Sequence, residues 1–244
     1  MVNGPFNRYA TADRAVEQAQ YDEGLRQHML RVYNYMMTGL GITGVVAFFT
    51  AMAAQPGTAL FDALYLSPLK WVIMLAPLGF VFFLSARMNS LSMSRAQAVF
   101  WAFAAVMGLS LSSIFLVFTG ASIARVFFIT AGMFAATSLW GYTTKTDLTK
   151  MGSFLMMGLI GIVIASLVNI FIGSSALQFA ISVIGVVVFT GLTAYDTQRI
   201  KEEYAEHYGQ DTNTKLAVMG ALSLYLNFIN LFQMLMQLMG QREE

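Results

Sequence analysis

The sequence predicts an all-α membrane protein of seven transmembrane helices, and three observations carry that prediction: 57% of its 244 residues are hydrophobic, only 11% are charged, and the apolar residues come in long runs. A soluble domain carries about 25% charged residues, and a helix needs roughly 20 apolar residues to cross ~30 Å of hydrocarbon. Runs bounded by turn residues and charges fall near 32–53, 71–91, 97–118, 122–143, 151–172, 176–198 and 216–239. Six full spans with a re-entrant last segment is the alternative.

Ahead of the first run, residues 1–28 are mixed in charge, with Arg8, Asp13, Arg14, Glu17, Asp22, Glu23 and Arg26, and they lack a signal-peptide pattern. They read as a cytoplasmic tail, followed by a transmembrane domain over 29–240 and a short C-terminal tail over 241–244. Between the first two spans, Gln55-Pro56-Gly57 and Ser67-Pro68 mark a longer loop expected to dip back into the interface. The connections Thr119-Gly120-Ala121 and Gly173-Ser174-Ser175 are short enough to join antiparallel neighbours directly. With the N-terminus inside, cytoplasmic segments hold eleven of the Lys and Arg residues and the opposite side three, so the expected orientation is N-in and, with seven spans, C-out.

Ser113–Thr144 aligns with Ser166–Thr197 without a gap at an offset of 53, with nine of 32 positions identical. The unit is a two-span hairpin, so the copies are parallel, an arrangement found among transporters. Where the first copy has Tyr142-Thr143, the second has Tyr195-Asp196.

Asp196 follows 45 consecutive uncharged residues and closes the sixth span. Two readings stand: an interfacial acid that reaches water with help from Arg199 and Lys201, or an ion contact and proton switch, the default for an acid facing a bundle interior. Arg87 closes the second span at the same end, either as a positive-inside anchor or as a charge-assisted latch on Asp196. In the seventh span Gly220, Ser223, Asn227, Asn230 and Gln237 form a polar stripe, which places that helix inside the bundle, as interhelical glue or as a path. If the span starts at Leu216, Asn227 lies some 18 Å deep, and it meets Asp196 only if the helix starts earlier or its neighbour is tilted or displaced.

The same inventory argues against enzymes. Cysteine is absent, His28 and His207 lie outside the spans, no second span carries an acid to share a proton with Asp196, and no span holds a lysine for a Schiff base. The 17 Met and 20 Phe read as packing, the net charge of +1 points to no nucleic acid, and no cofactor is implied by these residues.

Gly191-Leu-Thr-Ala-Tyr-Asp-Thr-Gln-Arg-Ile-Lys201 and Ala221-Leu-Ser-Leu-Tyr-Leu-Asn-Phe-Ile-Asn-Leu-Phe232 resemble the hallmark segments of the Bax inhibitor-1, or transmembrane Bax inhibitor motif, family. Ser85-Ala-Arg-Met88, Ala131-Gly-Met-Phe134 and Gly141-Tyr-Thr-Thr-Lys145 resemble its bacterial branch. The resemblance implies a seven-span fold with a central last helix, and a pH-sensitive calcium leak controlled by aspartates on spans six and seven and an arginine on span two. In this chain those positions fall on Asp196, Asn227 and Arg87; Asn227 departs from the pattern. A single acid and an arginine then replace a proton-sharing pair, with a weak, transient Ca²⁺ contact at Asp196. The expected setting is a bacterial inner membrane, with the lipid bilayer and calcium ions as partners. The competing expectation is a non-conducting regulator that binds a membrane protease or other membrane proteins through residues 1–28.

Overall fold

Among the described residues seven long helices follow one another as the apolar runs predict. The computed structural model describes residues 5–87, 90–205 and 209–243, with backbone alone at 5–18, 85 and 210. Its long helices are α1 Pro5–Ala53, α2 Leu69–Arg87, α3 Met93–Leu111, α4 Gly120–Thr143, α5 Thr149–Ile172, α6 Ser175–Glu203 and α7 Gln210–Met239. Six of them are by themselves long and apolar enough to cross a membrane, and α2 meets the same measure together with the helical segment 59–66, which joins it at a bend of 60°. The chain is a multi-pass, all-α membrane protein embedded in the lipid bilayer.

The bend has a local cause. Pro68 excludes the helical region at the residue before it, and Ser67 is extended at φ −81°, ψ 168°. The longer loop of the sequence is therefore largely helical and angled against its span.

Residues 5–28, read from the sequence as a tail, form the opening turns of α1, a 49-residue helix. No proline interrupts 6–53, and side chains a turn apart support one another: Arg26 pairs with Glu23 at 3.0 Å and Gln27 donates to Glu23 at 2.7 Å. The C-terminal residues are likewise anchored, since Arg242 bridges Phe118 and Gln241 donates its amide to Ser122 Oγ at 2.9 Å.

The tight connection between α5 and α6 depends on Gly173, whose φ of +65° ends α5 in the left-handed region that a side chain disfavours. Ser174 then caps α6 by accepting from the amide of Leu177 at 3.2 Å.

α7 is the most buried helix. Two-thirds (67%) of its most apolar window is inside the protein, against 17–39% for the other five single spans. Its main neighbours are α1, α3, α4 and α6, while α2 packs on α3 and α5 packs on α6. Tyr225 fixes this arrangement: its ring lies 5.4 Å and 6.1 Å from those of Phe103 and Phe100, and its hydroxyl donates to Thr43 Oγ1 at 2.6 Å. Thr43 in turn donates to the carbonyl of Ala104 at 2.8 Å. Helices α1, α3 and α7 are thus joined through one buried hydroxyl pair.

α4 and α6, which carry the two aligned segments, pack side by side. Gly141 abuts the backbone of Ala194, so that a Cβ there would overlap its carbonyl. These two residues are 53 apart, the offset of the sequence alignment, so the aligned segments touch at matching positions.

Candidate functional site

The last turns of α6 gather the polar contacts at one end of the bundle. The apolar run stops at 198, but the helix continues to Glu203, which keeps Arg199 one turn beyond Asp196 and Glu203 one turn beyond Arg199. Arg199 Nη2 lies 2.9 Å from Asp196 Oδ1, and its Nε lies 3.6 Å from Glu203 Oε1. The same Nη2 donates to Ser223 Oγ on α7 at 3.1 Å. One guanidinium therefore faces two acids and the neighbouring helix.

The other oxygen of Asp196, Oδ2, accepts from Asn227 Nδ2 at 2.7 Å. The depth mismatch expected from a span starting at Leu216 is removed because α7 begins at Gln210, so its first turns extend past the end of α6. Antiparallel pairing of α6 and α7 then sets Asp196 opposite Asn227 and Ile200 against Gly220. Among the described residues Asp196 is the one buried carboxylate, with 8% of its surface exposed.

Arg87 is elsewhere. It ends α2 exposed, and its carbonyl accepts from Ser90 Oγ at 2.8 Å and from the amide of Leu91 at 3.1 Å. The ion pair expected between Arg87 and Asp196 is occupied here by Arg199, because three residues along a helix bring side chains together without reliance on a second helix. Arg199, assigned from sequence only a supporting part in reaching water, is the cation of the site; its spacing from Asp196 was the available signal.

The polar stripe divides. Ser223 and Asn227 serve α6, whereas Asn230 donates to the carbonyl of Leu226 in its own helix at 2.8 Å. Gln237 is exposed at the far end, by the α5–α6 turn, in a groove it shares with Asn169 and Gln178.

Hydroxyls unnoticed in the sequence lie behind Asp196. Tyr33 on α1 and Ser138 on α4 are 2.7 Å apart, and Ser138 is 2.9 Å from Thr197 on α6. Thr197 donates to the carbonyl of Thr193 at 2.7 Å. Serine and threonine are common in membrane helices, so nothing in the sequence separates these from their neighbours.

α6 also holds the turn between α4 and α5. Gln198 accepts from the amide of Leu148 at 2.8 Å and donates to the carbonyl of Thr146 at 2.9 Å, and Lys201 Nζ donates to the carbonyl of Tyr142 at 2.9 Å. In that turn Asp147 accepts from the amide of Thr149 at 2.9 Å. Hydrogen bonds from the Thr149 hydroxyl and amide hold its carboxyl below the usual carboxylate range.

The donor set at Asp196 is small for a divalent cation. Among the described residues no three His, Cys, Asp or Glu side chains cluster in a metal-holding arrangement, and Asn227 turns its NH₂ rather than its oxygen toward the carboxylate. A resident Ca²⁺ takes six to eight oxygens.

Residues 25–244 match a family model described as inhibitor of apoptosis-promoting Bax1. The chain is 47% identical over 224 residues to an uncharacterised protein of Rickettsia prowazekii, covering 92% of this chain and 93% of that one. It is 44% identical over 240 residues to the inner membrane protein YbhL of Escherichia coli K12, covering 97% and 100%. A Deinococcus radiodurans protein is 38% identical over 229 residues, covering 94% and 96%.

Proposed function

The chain belongs to the Bax inhibitor-1 family, and from that premise we propose that it is a pH-sensitive cation leak of a bacterial inner membrane, with calcium as cargo and Asp196 as both ion contact and proton acceptor. The observation that carries this reading is the buried Asp196 carboxylate, tied to Arg199 on its own helix and to Asn227 on the most buried one. While Asp196 is ionised, the charge-assisted bonds hold the ends of α6 and α7 together. Proton uptake removes the charge that Arg199 answers, and the guanidinium turns to Glu203 and water. The contact at Asp196 then opens at low pH and closes as the pH rises. Calcium passes such a site weakly, because one carboxylate and an amide cannot form its full shell. Arg199 takes the latch role that the family pattern assigns to Arg87.

Calcium flux into liposomes carrying the purified chain, measured across a pH series, tests the reading. Asp196→Asn and Arg199→Gln each flatten the pH profile, while Arg87→Ala leaves it in place. Wild-type flux and profile in the first two variants sink the proposal.

A second reading, a non-conducting regulator, draws on the length of α1, whose 49 residues far exceed the roughly 20 a bilayer needs. Its helical amino-terminal part is then a docking element for membrane-protein partners. Loss of a co-purified partner on deletion of residues 5–18, with no flux from the full chain, decides for it.

A further inference from the structure

On the flank of α1 away from the Asp196 cluster, Gln27, Arg31, Asn34 and Thr38 recur at helical spacing, and with Tyr35 and Trp101 they line a groove of about 370 Å³ between α1 and α3. Gln27, Asn34 and Thr38 are exposed and Arg31 is half-buried. Arg31 Nη1 donates to Thr214 Oγ1 at 2.9 Å, which fixes the guanidinium against the start of α7. Among the described residues no acid forms an ion pair with it. The acid on this face of α1, Glu23, is two turns away and already bound by Arg26 and Gln27.

The depth of the groove narrows the kind of anion that suits it. Val32 to Ala53 is a stretch of 22 uncharged residues, about 33 Å of helix against ~30 Å of hydrocarbon, so Arg31 stands at the level of the lipid phosphates. Tyr35 and Trp101, with ring centres 5.7 Å apart, are the amphipathic aromatics characteristic of that level, and Gln97 donates to the Tyr35 hydroxyl. A partly desolvated arginine without a carboxylate is costly in this setting unless an anion reaches it, and a guanidinium matches phosphate geometry well.

We propose that the α1–α3 groove at Arg31 is a binding site for the headgroup of an anionic phospholipid, its phosphate on the guanidinium and its hydroxyls on the Gln27 and Asn34 amides. A choline headgroup brings its own cation beside Arg31 and is disfavoured. The inference stands apart from the proposed leak, since it concerns other helices and needs no flux.

Trp101 lines the groove and reports on it directly. Trp71 and Trp140 are 50% and 49% exposed and lie outside the groove, so the Trp71→Phe, Trp140→Phe chain leaves Trp101 as sole emitter. That chain is placed in phosphatidylcholine vesicles with equal mole fractions of either brominated phosphatidylglycerol or brominated phosphatidylcholine. Quenching corresponds to about fivefold tighter association of the anionic lipid, as expected for one arginine near the surface. Arg31→Gln abolishes that preference, Arg31→Lys retains part of it, and added inorganic phosphate leaves it intact. Arg95→Gln is the control for diffuse charge. The α1–α3 register, with Thr43 on Ala104 and Gly39 against Phe100, sets exposed Arg95 level with Asn34, yet it does not line the groove. Equal quenching by both lipids, a preference that survives Arg31→Gln, equal loss in Arg95→Gln, or displacement by free phosphate overturns the site. Should Arg31→Gln not fold, Asn34→Leu serves instead, with a reduced preference expected and an unchanged one counting against the proposal.

Discussion

Asp196 and Asn227 show how far one amide changes the chemistry available to a carboxylate. At 2.7 Å the amide donates to the ionised acid, whereas a second carboxylate in its place must share a proton with the first. Asn227→Asp is therefore expected to convert a one-step pH profile of flux into a two-step one, measured in the same liposome series. The Thr43–Tyr225 hydroxyl pair is a test of packing alone. Thr43→Val leaves the fully buried Tyr225 hydroxyl without its partner, and a loss of about 1 kcal/mol is expected in unfolding measured in detergent. Neither the flux profile nor its midpoint should follow that variant, because Tyr225 does not touch the Asp196 cluster.

Among elements, the end of α6 does more than present Asp196, since Gln198 and Lys201 bind the α4–α5 turn and Arg199 binds α7. Gln198→Ala leaves the amide of Leu148 and the carbonyl of Thr146 unpartnered, at a cost of about 1–3 kcal/mol, visible as faster hydrogen exchange at 146–149. Gly152 meets the ring of Tyr195 so closely that a Cβ cannot be added without displacing it. Gly152→Leu is expected to separate α5 from α6, with about 1–3 kcal/mol lost in thermal unfolding. The start of α5 also carries a pH dependence with a definite sign. Because the folded value of Asp147 lies below the ordinary carboxylate one, its contribution is complete above the ordinary value and is lost as the pH falls through the depressed folded one. Asp147→Asn removes this acid dependence, measured by hydrogen exchange of the first α5 amides.

For the whole molecule, the bent pair 59–66 and α2 decides the topology. α1 runs parallel to α7, as Arg31 on Thr214 and Thr43 on Tyr225 require, and the chain end at 241–243 pairs with 117–119 at the other end of the bundle. The beginning of α1 and the end of α7 therefore lie at opposite ends. The chain contains no cysteine, so single cysteines introduced at 20 and at 241 can be labelled with membrane-impermeant reagent without background. Labelling of the two sites from opposite sides is expected, with the site at 20 cytoplasmic if the excess of basic residues sets orientation; labelling from one side means that α2 does not cross.

The sequence by itself determined the membrane class, the number and approximate bounds of the long helices, and the place of Asp196 as a lone carboxylate at the end of an apolar run. Those follow from local quantities: the length of an apolar run against the thickness of hydrocarbon, and the rarity of a charge within it. It also marked Ser223 and Asn227 as facing protein, because amides and hydroxyls at that depth need partners. Where helices stop was less legible, since hydropathy falls at 198 and first rises near 216, while backbone hydrogen bonding carries α6 to Glu203 and begins α7 at Gln210. That difference of a turn or two decided which residues meet. Arg87 and Arg199 stand near the same end of the chain's hydrophobic stretches, and charge alone does not choose between them. Only the packed bundle did so, because the continued turn of α6 delivers Arg199 to Asp196 at 2.9 Å, while α2, packed on α3, leaves Arg87 exposed.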